Sequence, residues 1–257
     1  MTPSVAAVLV TRDRPRLLAD ALATVAAQRP APIEVRIAND GTLPVEDAIP
    51  APGLLEVTVL PVNVRSPGAA RNRAAQDARA EILAFLDDDD RWLPGHVAGL
   101  AAAFEDPAVC LAYRDADILL ERLEDDRRVE LGRRPIARDW DLEVMRRDDY
   151  IPPSALAIRR SLFEQIKGFD ESFAVSEDWD LLLRAASRTT PRRVPGTTVE
   201  VRLRDTGNLS RERGAERRAC LDRLAERHSL LPLAIKTFWE VARDVGEQVS
   251  GPRSQSA

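Results

Sequence analysis

Apolar and polar positions fall into blocks that alternate between two periods along the first half of the chain. Residues 5–10 form a near-continuous apolar run, as expected of a strand buried on both faces; residues 15–27 then carry apolar side chains at helical spacing, with Pro15 in a tolerated first-turn position. Residues 33–38 and 55–60 read as strands, 68–80 as a helix, 82–86 as a strand, 96–104 as a helix and 109–113 as a strand. Strands that alternate with helices predict an α/β fold, with a sheet flanked by helices on its faces. Ligands of such sheets bind at the carboxyl ends of the strands. The chain places Thr11-Arg12-Asp13, Asn39-Asp40-Gly41 and Asp87-Asp88-Asp89-Asp90 at three of those ends.

The pattern weakens between 115 and 149, where 119–123 and 129–131 flank Glu124-Asp125-Asp126 as an exposed hairpin. It resumes with a strand at 154–158, a helix at 160–166 and a helix at 178–186 entered through Ser176-Glu177. Residues 213–249 are rich in helix formers and broken near Pro232. Leu233, Phe238, Trp239 and Val241 there have helical spacing, which fits core packing or the face of a homodimer. The polar segment 250–257 reads as disordered.

The 257 residues, 44% hydrophobic and 31% charged, suffice for one large or two modest domains with a real core. A net charge of −5 argues against a general nucleic-acid binder, which needs a basic surface. Cys110 and Cys220 are the only cysteines and lie far apart, so neither a disulfide framework nor a cysteine-based zinc site is supported. No apolar run is long enough to span a bilayer, and the first residues lack the basic leader and cleavage site of a signal peptide. A soluble, cytoplasmic protein is expected.

The most informative stretch is Phe85-Leu86-Asp87-Asp88-Asp89-Asp90, because four adjacent carboxylates directly follow a buried strand. Like charges this close raise each other's pKa unless a cation or a ring of donors compensates them. A hard divalent metal with oxygen ligands is the economical explanation, and Mg²⁺ completes its shell from substrate phosphates. The acids therefore suggest a metal-assisted site for a diphosphate, with a solvated acidic loop as the plain alternative.

Several blocks in order resemble the family 2 glycosyltransferases of GT-A fold, over roughly residues 5–210. Val8-Leu9-Val10-Thr11-Arg12-Asp13-Arg14-Pro15 is similar to the family's opening strand and turn, Asn39-Asp40-Gly41-Thr42 to its Asp-Asp-Gly-Ser element, and Gly68-Ala69-Ala70-Arg71-Asn72-Arg73 to its Gly-x-x-x-Arg-Asn-x helix start. The acid run contains its Asp-x-Asp signature. Gly168-Phe169-Asp170-Glu171, followed by Ser176-Glu177-Asp178-Trp179-Asp180-Leu181, resembles its acceptor-side block. The resemblance implies a GT-A-type Rossmann-like mixed sheet with a nucleotide-sugar-binding half at 1–112, an acceptor-binding half of the same domain at 113–210 and C-terminal helices at 211–249. It further implies inverting, non-processive transfer from a nucleoside-diphosphate sugar to an acceptor hydroxyl, assisted by Mg²⁺ or Mn²⁺. The acceptor would be a small molecule, a glycan or a lipid-linked species.

Residue by residue, the resemblance implies Asp178 as the base and Asp89 as a metal ligand. Thr11, Arg12, Asn39, Arg71, Asp87 and Asp88 fall at its nucleotide-sugar contacts, and Ser154, Glu177 and Trp179 at its acceptor side. A second reading of Asp178 stays open: Ser176 is a good N-cap, and acids at 177, 178 and 180 favour the first turn of a helix. The sequence departs from the pattern at Asn39, where the family has Asp, and at Arg12, where it has an aromatic residue. UDP or TDP donors are favoured. A third departure lies in Leu203-Arg204-Asp205-Thr206-Gly207-Asn208-Leu209-Ser210, which puts Asp205 where many relatives have a metal-binding His; a carboxylate there suits Mg²⁺ or Mn²⁺ better than zinc. A sugar nucleotidyltransferase and a non-catalytic nucleotide-sugar-binding member of the fold are the competing readings.

Overall fold

The computed structural model of the chain, which describes residues 2–51, 53–124, 127–204 and 214–249, places the first apolar run deep within a sheet. Strand β1 (Val5–Thr11) lies between β2 (Glu34–Asn39) and β4 (Ile82–Asp87) and runs parallel to both. A strand with neighbours on both edges and layers on both faces has no use for polar side chains, and Val5, Ala6, Ala7, Val8 and Leu9 are all buried. β3 (Val57–Pro61) extends the parallel run beyond β2. Thr11 sits opposite Asn39, Asn39 opposite Pro61 and Val10 opposite Asp87, so the four strands end level. One rim thus carries all three polar segments expected at strand ends.

Helix α1 (Pro15–Ala26) buries Leu18, Ala21, Leu22 and Val25, the stripe its spacing predicts. Helix α2 (Pro67–Ala75) stops earlier than the periodicity suggests. Arg36 Nε donates to the carbonyl of Ala74 (3.1 Å), and the buried carboxylate of Glu34 accepts the backbone N–H groups of Arg79 (2.6 Å) and Ala80 (2.9 Å). Those bonds draw residues 76–80 out of the helix and into the approach to β4.

Beyond β4 the sheet becomes mixed, in the order β3-β2-β1-β4-β8-β6-β9-β5, with β5 (Arg91–Trp92), β6 (Leu111–Glu124), β8 (Leu156–Arg159) and β9 (Arg192–Arg204). The expected hairpin forms between β6 and β7 (Arg127–Ile136), with arms longer than expected; residues 125–126 at its turn lie outside the described residues. The sequence reading assigned no strand to β9, although Val199, Val201 and Leu203 alternate there with Glu200, Arg202 and Arg204. Parallel to β6 and antiparallel to β5, β9 completes the sheet on the far side of the acid run.

The remaining helices are α3 (His96–Ala103), α4 (Leu142–Met145), α5 (Arg160–Gln165), α6 (Glu177–Ala186), α7 (Gly214–His228) and α8 (Phe238–Val249). The break expected near Pro232 separates α7 from α8. Leu233, Val241, Ala242 and Val245 are buried within the chain, and Arg134 pins α8 to β7 by stacking 4.0 Å over Trp239 and donating to its carbonyl. The tail at 250–257 lies outside the described residues. Among the described residues, no helix is long and apolar enough to cross a membrane.

Under the rim, Phe85 packs against Phe163 and edge-on against Phe169, with ring centroids 5.9 and 5.2 Å away. Phe85→Ala removes the ring that supports both the acid run and the acceptor-side block, and should cost about 3–5 kcal/mol of stability in urea titrations.

Candidate active site

A cavity of about 330 Å³ opens at the level rim. Its wall takes Thr11, Arg12 and Arg14 from the end of β1, Asp40 from β2, Arg65 and Arg71 from the entry to α2, and Asp87 to Asp90 after β4. The start of α6 lines it too, with Glu177, Asp178 and Trp179, joined by Asp149 and by Arg217, Lys236 and Phe238 from the C-terminal region.

The four acids after β4 have separate partners. Asp87 pairs with Arg71 (2.5 Å); Asp88 accepts from the Thr11 hydroxyl (2.7 Å) and pairs with Arg14 (3.3 Å); Asp89 pairs with Arg14 (3.1 Å) and Arg204 (3.3 Å). Asp90 is turned inward, accepting from the Ser154 hydroxyl (2.5 Å) and the Arg202 backbone N–H (3.0 Å). These partners do not fully compensate the turn. Burial, reinforced by the Asp89 charge, pushes Asp88 up to about 7, and burial likewise raises Asp89 and, more strongly, Asp90.

Arg71 also pairs with Glu177 at 2.5 Å, joining β4 to α6. The two helices meet closely because residue 68 is glycine: a Cβ there would lie 3.0 Å from the Glu177 side chain and 3.1 Å from Phe169. Burial pushes Glu177 up to about 7 against the pull of Arg71. Asp178 is raised by burial too, opposed by Arg71 and by the Trp179 backbone N–H that its carboxylate accepts (2.9 Å). Ser176 does not cap the helix. It adopts a left-handed backbone (φ 63°) and its hydroxyl makes no cap bond, which corrects the expectation of a Ser176 N-cap.

The structure gathers Thr11, Arg12, Arg71, Asp87, Asp88, Asp89, Glu177, Asp178 and Trp179 around one cavity. Trp179 is mostly buried, its indole N–H donating to the Met145 carbonyl (2.7 Å). Ser154, expected at the acceptor side, lies instead behind the acid turn: it is fully buried, its oxygen accepting the Asp87 N–H (3.1 Å) while its proton goes to Asp90. Asn39 is likewise spent on structure. Its amide oxygen accepts from the Gly41 N–H (3.1 Å) and its nitrogen donates to the Leu43 carbonyl (3.0 Å), a donation the family's Asp cannot make. Gly41 is required there, since a Cβ would sit 2.5 Å from the Asp13 backbone nitrogen. Asp205 lies outside the described residues.

Sequence reasoning did not single out Arg14, Arg202 and Arg204, which hold the acid turn, nor Asp149 and Arg217. Asp149, raised well above the usual carboxylate range by burial and then by Asp178, lines the same wall as Asp178; Arg217 is drawn by both acids and donates to the Lys236 carbonyl. Neither histidine lines the cavity. His96 is fully buried against Trp92 and Thr198, and His228 bonds to Asp180 (2.9 Å).

The mixed sheet flanked by helices matches GT-A folds, and comparison with known proteins identifies the chain as a glycosyltransferase. The family model described as glycosyl transferase family 2 matches residues 6–167, and the chain belongs to that family. It is 33% identical over 236 residues to the uncharacterized glycosyltransferase YwdF of Bacillus subtilis (strain 168), covering 90% of this chain and 86% of that one. It is 30% identical to the pre-mycofactocin glycosyltransferase of Mycobacterium tuberculosis, over 59% of this chain but only 33% of that protein. Among solved structures, S. aureus TarS superposes with a TM-score of 0.63 at 17% identity, covering 87% of this chain and 39% of TarS. TarS 1-349 in complex with UDP gives 0.61 at 17% identity, over 95% and 71% of the two chains, and a complex of TarS 1-349 with UDP-GlcNAc is also similar.

The raised acids make stability depend on pH. Asp88 and Glu177 keep protons in the folded state up to about pH 7, whereas in the unfolded chain they lose them near pH 4. The stability they contribute is therefore greatest at low pH and falls as pH rises from 5 to 7. His96, held neutral by burial, pulls the other way over part of that window, but it is one group against Asp88, Glu177 and the other raised acids, Asp89, Asp90, Asp149 and Asp178. The melting temperature of the ligand-free protein should fall between pH 5 and 7, and Glu177→Gln should flatten the slope.

Proposed function

We propose that the chain is an inverting, metal-dependent, non-processive transferase that moves a sugar from a nucleoside diphosphate to an acceptor hydroxyl. One observation carries the reading: the acid turn and Asp178 line a single cavity, and Arg71 bridges Asp87 of the turn to Glu177, the neighbour of Asp178. An inverting reaction needs a leaving-group site on one side of the anomeric carbon and a base on the other. The level rim supplies the first. Asp178, whose affinity for a proton is raised by burial, supplies the second by accepting the proton of the acceptor hydroxyl at its carboxylate. Glu177, held by Arg71, orients the helix start.

The donor set fits a hard cation. Among the described residues no three His, Cys, Asp or Glu side chains form a ready metal cage, but Mg²⁺ needs only one or two carboxylates plus phosphate oxygens. Asp89 is the candidate ligand, since its side chain is about one-fifth exposed at the cavity and its turn carries uncompensated negative charge; Asp205 is the second. A bound Mg²⁺ or Mn²⁺ would act as a Lewis acid toward the departing diphosphate. A UDP or TDP donor is favoured, and the UDP and UDP-GlcNAc complexes of TarS support the uridine choice. The acceptor class is a small molecule, a glycan or a lipid-linked species, in natural-product or surface-polysaccharide biosynthesis, and two free thiols suit a cytoplasmic site of action.

Asp178→Asn should leave nucleotide affinity intact and lower turnover by about 10²-fold or more in a donor-consumption assay; near-normal turnover would return Asp178 to a helix-start role. Asp89→Asn should weaken UDP binding in calorimetry with Mn²⁺ present and leave it unchanged in chelator. Equal affinities with metal for both proteins would remove Asp89 from the ligand set.

A further inference from the structure

Arg65 stands out among the cations of the cavity. Its backbone is left-handed (φ 54°), a conformation uncommon for any residue but glycine. Asp40 over-determines it: the buried carboxylate accepts the backbone N–H groups of Val64 (2.7 Å) and Arg65 (3.1 Å) through one oxygen. The Arg65 side chain is exposed, lines the cavity, and has neither an ion pair nor a side-chain hydrogen bond to any described residue. Of the other cavity arginines, Arg14, Arg71 and Arg202 are committed to protein carboxylates, while Arg12 and Arg147 are exposed and, like Arg65, make no ion pair with a described residue, but neither has a left-handed backbone. A strained backbone that presents an uncommitted cation to a cavity is the arrangement expected of a ligand contact.

Its place in the sheet indicates which part of the ligand. Arg65 follows β3, while the acid turn follows β4, and the order β3-β2-β1-β4 puts three strand spacings, about 14 Å, between those two ends of the rim. That span matches the length of an extended nucleotide. With the diphosphate at the acid turn, the base falls at the β2–β3 end, between Arg65 and Arg12. We propose that Arg65 is a donor-specificity residue that contacts the nucleoside half of the nucleotide, its planar guanidinium serving as hydrogen-bond donor to a base carbonyl or as a stacking surface. The proposal rests on the nucleoside-diphosphate reading above.

Three full-length proteins test it by titration calorimetry with UDP and with uridine monophosphate, alongside melting curves without ligand. Arg65→Gly should weaken both nucleotides by about tenfold or more, the loss of a charged hydrogen bond, while raising the melting temperature by about 2 °C as glycine relieves the backbone. Arg65→Ala should weaken both equally without that gain. Unchanged UDP affinity in either variant overturns the assignment. A loss for UDP without one for the monophosphate overturns it in favour of a contact to the second phosphate. If the unaltered chain binds neither nucleotide, the donor reading itself fails, independently of Arg65.

Discussion

The guanidinium of Arg71, only 4% exposed, is held 2.5 Å from a carboxylate of β4 on one side and 2.5 Å from a carboxylate of α6 on the other. A planar cation with a forked set of donors can serve two acids at once; an ammonium cannot present donors along two fixed directions in the same way. Glu177 left alone at this depth would be an uncompensated buried charge, a defect of several kcal/mol, whereas Asp87 is about one-third exposed. The bridge therefore ties the sheet rim to the start of α6. Packing underneath agrees with it. Arg71 lies 5.4 Å over the Phe169 ring, which packs on Phe85 and Phe163, so the polar bridge and the aromatic cluster fix the same distance between β4 and α6. Gly68 supplies the clearance that both require.

How legible this was in the sequence follows from what kind of signal each part leaves. Strands β1 and β4 are apolar on both faces and β2 keeps an apolar run around Glu34 and Arg36, so all three are legible, and the polar residues that end them lie at one rim as expected. β9 was not assigned although Val199, Val201 and Leu203 alternate with charged residues; what the local pattern does not carry is that Arg202, on the charged side of that alternation, is buried and paired with Glu121 of β6 at 3.2 Å. That pairing joins residues 81 positions apart, which no local pattern reveals. Arg14 and Arg204 escaped notice for the same reason: in an arginine-rich chain, the few that hold an acid turn look like those that merely face water. Ser154 and Asn39 were read as ligand contacts because a resemblance assigns positions, whereas the hydrogen bonds that occupy those side chains depend on the neighbours this chain happens to have.

The C-terminal region gives a second example of position overriding local pattern. Its apolar spacing predicted a packed face without saying what it packs on. In the fold, α8 rests on β7, and the segment between α7 and α8 turns Lys236 toward Asp148 at 2.5 Å, closing the cavity beside Asp149 and Asp178. Helices that follow the family-matched residues 6–167 thus finish the lining of the cavity beside Asp149 and Asp178. Variation there can alter that part of the cavity without touching the rim; under the proposed function this would be a physical route by which one donor platform serves different acceptors.

The four consecutive aspartates show why a charge run has to be resolved one side chain at a time. Asp90 is structural, tying the turn to β9 through the Arg202 N–H and to the segment before β8 through Ser154. Asp87 belongs to the Arg71 bridge, and Asp88 to the start of the chain through Thr11 and Arg14. Asp89 has a carboxylate about one-fifth exposed at the cavity, and its partners are Arg14, which it shares with Asp88, and Arg204, with no hydroxyl bonded to it. Its neighbours are what make it suited to a cation. By crowding negative charge into a buried turn they raise the cost of leaving Asp89 ionised and unpaired, so a divalent ion, where it binds, would relieve repulsion across the whole turn while being gripped by one of its members.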